Sequence, residues 1–237
     1  MPSVNVFVKD GLPAVKQKSK DLFYRRTTSL REVRRQYRTF IDQEGITGCG
    51  CLAKCPHNYQ SAEHRVEKGD VLLDIGCSEA IFTLDNLDKV SEAYVFEADE
   101  EWKEPLSHTF PVDKVHVVTK FVGDKTGGMS VRVTDILPSR PDATYFIKMD
   151  IEGNERIVLN SMKEFLTANR VKISCCVYHR QDDAEYIQQL LSSLGFQTCF
   201  SDGWMVPIFG EIREPYFRRG VIYARNYQST SLQNESK

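Results

Sequence analysis

Four acidic residues and one histidine stand where apolar runs end, the positions at which an α/β chain does chemistry. Asp74 closes VLLDIG, Glu97 closes AYVFEAD, Asp150 and Glu152 close YFIKMDIEG, and His179 follows SCCVYH. A carboxylate at such a strand end can accept hydrogen bonds from ligand hydroxyls, and a carboxylate or imidazole can take the proton of a nucleophile. Glu97 follows Asp74 by 23 residues, the span of one strand-helix-strand unit, and is therefore the candidate acceptor for both hydroxyls of a ribose. The segment Ile147 to Glu155, IKMDIEGNE, closes an apolar strand on three acids around one glycine, which packing alone does not explain.

These residues meet only if the strands that carry them run parallel, since parallel strands bring their C-terminal ends to one edge. The apolar runs predict strands at 71–75, 93–97, 115–119, 144–149 and 172–178, with two more near 196–200 and 220–225. Helices are predicted around 79–88, 99–108, 153–168 and 182–194. In the last, Ile187, Leu190, Leu191 and Leu194 fall at i, i+3, i+4 and i+7, and Gly195 supplies the stop. Gly123 to Val133 reads as a turn and a short extra strand, and Pro138 and Pro141 mark a loop before the fourth core strand. The pattern is α/β, with Asp74, Glu97, Asp150 and His179 on one rim.

The turn after the first core strand narrows the ligand. Nicotinamide-binding turns carry three glycines so that the backbone can approach a pyrophosphate, whereas here Gly76 is followed by Cys77, Ser78, Glu79 and Ala80. A pyrophosphate would meet Glu79. S-adenosylmethionine, which has no phosphate, fits better: its ribose to Glu97, its amino-acid end near Asp74 and the Gly76-Cys77-Ser78 turn. The other reading of this turn is an ordinary βα connection.

From about Gly69 to Asn226 the sequence resembles the FkbM family of S-adenosylmethionine-dependent O-methyltransferases. The resemblance rests on GDVLLDIGCSEAIF, YVFEAD, VHVVTKFVGDKTGG, DATYFIKMDIEGNERIVL and VYHRQDDAEYIQQLLSSLGF, in that order. It departs from the family where DxGANxG has become DIGCSEA, with Ala80 at the last glycine, and where FEP has become FEA, with Ala98 at the proline. The resemblance implies a Rossmann-like class I methyltransferase fold: a mostly parallel seven-stranded sheet with helices on both faces and the last strand antiparallel. It also implies cofactor contacts from Asp74, Gly76, Cys77, Ser78, Glu97, Ala98, Gly123 and Asp124, and catalytic roles for Asp150, Glu152 and His179. The acceptor would be a hydroxyl of a sugar or related small metabolite.

The 237 residues, 41% hydrophobic and 27% charged with a net charge of −2, suit one globular enzyme domain at 69–227. That balance gives no global attraction to nucleic acid, and no apolar run approaches the roughly 20 residues of a membrane span. With no apolar leader and an odd count of seven cysteines, the expected location is cytoplasmic. Residues 1–68 read as a basic helical extension with a Cys-rich loop. Leu30, Val33, Tyr37 and Ile41 have helical spacing among Arg31, Arg34, Arg35 and Arg38, which form a solvated face or a patch for an anionic acceptor. Cys49, Cys51 and Cys55, with His57 and His64 nearby, lack the paired C-x2-C hooks of structural zinc sites. They hold enough soft ligands for a zinc or iron-sulfur site at a spacing unlike the common patterns, and are by default read as buried or loop thiols, or as part of a loop closing over the cofactor. The tail 228–237 is expected to be disordered, and a homo-oligomer is compatible with the chain.

O-methylation is an in-line displacement in which the acceptor oxygen must be held close to the sulfonium methyl and lose its proton. His179 or Glu152 is the candidate base. Should a cation assist, Mg²⁺ on Asp150 is the expected ion, because carboxylates are hard donors. Glu155 in the first turn of a helix is equally well explained by the helix dipole, and Tyr178 by pocket shape. His108 and His116 lack acidic company. A noncatalytic methyltransferase-fold protein that binds a partner through its N-terminal segment is the rival reading, and a nicotinamide-dependent dehydrogenase is disfavoured by the missing glycines.

Overall fold

A computed structural model describes residues 4–43, 55–206 except 112, 139 and 141, and 213–228. Cys49, Cys51 and the tail beyond residue 228 lie outside the described residues. The N-terminal segment contains the expected helix over Leu30 to Ile41 and, ahead of it, strands that were not expected. Strands β1 (Val6–Lys9), β2 (Leu12–Gln17) and β3 (Lys20–Phe23) form an antiparallel meander before the helix α1 (Leu30–Gln43). The first hairpin is set by Asp10-Gly11, both at positive φ (53° and 75°), the backbone that a two-residue loop between twisted strands requires. A capping box opens α1: Ser29 N–H donates to Glu32 Oε2 at 2.9 Å, and Glu32 N–H donates back to Ser29 Oγ at 3.3 Å. Val33 and Tyr37 are buried while Arg31, Arg34, Arg35 and Arg38 face solvent, so the arginines form the polar stripe of an amphipathic helix.

The apolar runs after residue 70 form one seven-stranded sheet. In chain order its elements are β4 (Val71–Ile75), α2 (Ile81–Asn86), β5 (Glu92–Phe96), α3 (Lys103–Thr109) and β6 (Val115–Val118). A short parallel pair, β7 (Phe121–Val122) and β8 (Ser130–Val131), precedes β9 (Thr144–Met149). Then come α4 (Glu155–Ser161), α5 (Lys163–Ala168), β10 (Arg170–Cys176), α6 (Asp183–Ser193), β11 (Gln197–Phe200) and β12 (Val221–Arg225). The order is β11-β12-β10-β9-β4-β5-β6, parallel except for β12. Strand β4 lies between β5 and β9, so the chain reverses its direction of travel across the sheet there, the switch point where such sheets bind ligands.

Strands β4, β5 and β9 are buried on both sides, as a sheet covered on two faces demands. One apolar cluster joins Leu72, Val95 and Phe146 to Phe82 and Leu84 of α2 and to Val15, Leu22, Val33 and Tyr37 of the N-terminal segment. The other joins Leu73, Ile147 and Ile173 to α4, α5 and α6. The expected helix at 153–168 is broken at Met162, whose N–H reaches back to both Val158 and Leu159 carbonyls. No helix among the described residues is long and apolar enough to cross a membrane.

Candidate active site

The rim begins at the turn after β4. Gly76, Ser78 and Ala80 all have positive φ (78°, 47° and 58°), so the chain coils tightly before α2. A Cβ on Gly76 would lie 1.8 Å from the Asp150 carbonyl oxygen, because the ends of β4 and β9 touch there. Only glycine fits. Ala80 is fully buried in the left-handed region, so the family's missing glycine is replaced by a strained alanine within a retained turn.

Glu97, at the end of β5, braces this turn. Its Oε2 accepts from Ser78 N–H at 2.9 Å and its Oε1 from Asp99 N–H at 3.0 Å. A carboxylate offers about four lone-pair sites, so acceptor capacity remains for ligand hydroxyls. Asp74 is placed differently from its expected cofactor contact. It is fully buried below the turn, accepting from Thr83 Oγ1 at 2.7 Å and lying 3.2 Å from Lys148 Nζ, which also donates to the Gly76 carbonyl. From there it braces the turn through Thr83 and Lys148. Cys77 is buried, and Ser78 and Ala98 are exposed. Gly123 is buried after β7, its N–H donating to Val131, and the Asp124 carbonyl accepts from Arg132 in an exposed turn.

Across β4 from Glu97, Asp150 gathers an aromatic and imidazole cluster. Tyr59 Oη donates to its Oδ2 at 2.7 Å, His57 Nε2 lies 3.5 Å from the same oxygen, and His179 Nε2 lies 3.3 Å from Oδ1. Burial opposes ionisation of Asp150, but hydrogen bonding and charge from His57, with Lys148 and His179, hold it well below the ordinary carboxylate range. His179 is buried among three carboxylates: Glu155 Oε1 is 2.9 Å from its Nδ1, and Asp150 and Glu152 flank its Nε2. Burial works against its charged form, yet Glu155 foremost, with Asp150 and Glu152, raises its pKa. The three carboxylates thus favour the charged imidazole over the neutral form that a base requires. Glu152, at positive φ and 3.6 Å from His179 Nε2, has its side chain 89% exposed and is the solvent-facing carboxylate of the three. Glu155 is fully buried, accepting from Ile151 N–H at 2.9 Å. Its partnership with His179 explains it better than a helix-dipole role alone.

From sequence, His57 belonged with the cysteine cluster rather than with this rim, and Tyr59 carried no signal. The segment that carries them is pinned across the sheet. Ser201 Oγ donates to the Pro56 carbonyl at 2.6 Å, Tyr223 Oη to the Asn58 carbonyl at 2.5 Å and Ser174 Oγ to the Tyr59 carbonyl at 2.7 Å. Tyr178 Oη lies 3.2 Å from His57 Nε2, so Tyr178 does shape this rim. His64 is not a ligand. It is buried 3.1 Å from Ser174 Oγ and stacked on Tyr223, and burial pushes its pKa down to about 3. His108 and His116 pair with the Glu104 carbonyl and the Glu92 carboxylate.

The donors around Asp150 do not fit Mg²⁺. That ion requires a near-octahedral shell of oxygens, whereas imidazoles and phenols surround this carboxylate and His179 already fills the space between Asp150 and Glu155.

Glu79 gives the site a pH-dependent stability. Burial raises its pKa from 4.5 to about 7. A raised folded-state value means that the stability is fully present below the unfolded value and is lost as pH rises through the folded one. Glu79→Gln is expected to flatten this loss between about pH 5 and pH 8 by on the order of 2–3 kcal/mol, measured by urea unfolding at both values. An unchanged slope would show that the carboxyl is ionised throughout.

Strand order, antiparallel last strand and a rim at the switch point define a Rossmann-like α/β methyltransferase fold. Residues 82–198 match the methyltransferase FkbM domain, the family that the strand-end motifs resemble. No curated protein matches it in sequence. Among solved structures, the FkbM methyltransferase from Methylobacillus flagellatus KT is 18% identical, with 69% of this chain and 45% of that chain covered and a TM-score of 0.49. This chain thus spans less than half the length of that protein. A putative methyltransferase from Streptococcus mutans, solved in complex with SAH, is 13% identical over 68% of this chain and 90% of that one, with a TM-score of 0.44.

Proposed function

We propose that this protein transfers the methyl group of S-adenosylmethionine to a hydroxyl of a sugar or related small metabolite. The observation that carries the reading is the pair of carboxylates flanking β4 at one edge. Glu97 is held by two backbone N–H groups beside the β4 turn, and Asp150 stands on the opposite side amid the His179 and Tyr178 groups. Glu97 receives the ribose hydroxyls, the Cys77-Ser78 turn the amino-acid end, and Gly123 with Asp124 the adenine. The acceptor hydroxyl enters on the Asp150 side, with His179 as hydrogen-bond donor. Glu152, exposed and unburdened by burial, takes the proton.

Calorimetric titration with S-adenosylhomocysteine and with NAD tests the cofactor. Glu97→Ala is expected to weaken S-adenosylhomocysteine binding at least about tenfold, because hydrogen bonds to a charged acceptor contribute about 1.5–3 kcal/mol each. Unchanged affinity would remove Glu97 from the ribose, and tight NAD binding would replace the methyltransferase reading with a dehydrogenase.

A further inference from the structure

Four donors from three distant parts of the chain converge beside the acceptor rim. His57 Nε2 lies 3.5 Å from Asp150 Oδ2 and 3.6 Å from Cys176 Sγ. Tyr59 Oη lies 2.7 Å from the same Asp150 oxygen, 3.2 Å from His57 Nε2 and 3.6 Å from Cys176 Sγ. Ligand atoms of His57, Asp150 and Cys176 all lie within 4.8 Å of one another. Zinc bonds of about 2.3 Å to sulfur, 2.0–2.1 Å to imidazole and 2.0–2.2 Å to carboxylate, set tetrahedrally, place nitrogen and sulfur about 3.6 Å apart and nitrogen and oxygen about 3.4 Å apart. The His57–Cys176 and His57–Asp150 edges match this tetrahedron, while Tyr59 Oη, now a hydrogen-bond donor 2.7 Å from Asp150 Oδ2, would move outward by about 0.7 Å to take the fourth corner.

We propose that His57, Asp150 and Cys176 form a site for a divalent ion of the zinc class, with Tyr59 Oη at its fourth corner. Imidazole and thiol are borderline to soft donors, which select zinc rather than magnesium. Charge balances: the ion displaces the Cys176 thiol proton to solvent, and one thiolate and one carboxylate neutralise its two positive charges. Cys176 is fully buried and Tyr59 nearly so, leaving no open corner for a substrate oxygen, and closed sites of this kind are structural. The ion clamps the segment that carries His57 and Tyr59 onto the ends of β9 and β10. The other cluster of potential ligands, Asp150, Glu155 and His179, is different: its carboxylates face opposite ring nitrogens of one imidazole, an arrangement of ion pairs around a ring rather than a cage.

The test is titration of the tag-free, chelator-stripped protein with Co²⁺, followed by competition with Zn²⁺. Stoichiometric binding with tetrahedral ligand-field bands and a thiolate-to-cobalt charge-transfer absorption, both abolished by Zn²⁺, is the expected result. Cys176→Ser removes the charge-transfer absorption, His57→Gln weakens binding at least about tenfold, and a Cys49→Ser, Cys51→Ser, Cys55→Ser triple variant keeps both. Absence of the charge-transfer absorption in the wild-type protein overturns the site. So does its survival in Cys176→Ser, or its loss in the triple variant. If circular dichroism shows that Cys176→Ser does not fold, His57→Gln decides, its side chain being partly exposed at the rim, and unchanged affinity overturns the site. S-adenosylhomocysteine calorimetry on the same samples reports the cofactor site separately.

Discussion

Replacing Lys148 with methionine is expected to destabilise the fold by about 3–5 kcal/mol, the cost of leaving a buried charge without its partner. Lys148 is 6% exposed within β9, and Asp74, on neighbouring β4, is fully buried 3.2 Å away. The ammonium also donates to the Gly76 carbonyl, so one side chain neutralises the acid beneath the turn and holds the turn itself. Methionine keeps most of the length and removes the charge. The urea midpoint should fall sharply at neutral pH, and Asp74→Asn in the Lys148→Met background should recover part of the loss, since it removes the orphaned carboxylate. A loss below about 1 kcal/mol would mean that Asp74 is satisfied by Thr83 alone.

Asp150→Asn is expected to lower methyl transfer at least about 10²-fold, within the range by which positioned acid-base groups act. The substitution preserves size while removing the charge that faces His179 on one oxygen and His57 and Tyr59 on the other. Affinity for S-adenosylhomocysteine should change less than about twofold, because the proposed ribose and adenine contacts lie on β5 and β7. The measurement is transfer of labelled methyl from S-adenosylmethionine to a panel of free and nucleotide-linked sugars. A variant with full turnover on an acceptor used by the wild type would make Asp150 structural and move the acceptor elsewhere on the rim. An acceptor panel on which the wild type itself is inert, despite tight S-adenosylhomocysteine binding, would favour a role in binding rather than in catalysis.

Burial on two faces makes the core legible in the sequence. Strands β4 and β9 coincide with the predicted 71–75 and 144–149, and the other core strands differ by one or two residues at their ends, because continuous apolar runs bounded by acids and glycine have few other solutions. The N-terminal meander was not legible as strands. Its β1 and β3 are four residues each and basic residues punctuate the segment, so no run of alternating apolar residues marks them; Asp10-Gly11 is the one local hairpin signal.

The sequence by itself determined the class of fold, the retained turn at Gly76, and the placing of Glu97, Asp150 and His179 on one rim, since strand order and alternation follow from local apolar patterning. Tertiary structure alone decided what each rim residue faces. Asp74 turned out to hold the turn from below, because Lys148 enters from the neighbouring strand. His179 is ringed by three carboxylates from one short turn and helix, which favour its charged form. His57 and Tyr59 joined Asp150 and Cys176 across 91 to 119 residues of sequence. Contacts at that separation depend on how a segment without periodicity is pinned over the sheet, and no local pattern of residues encodes them.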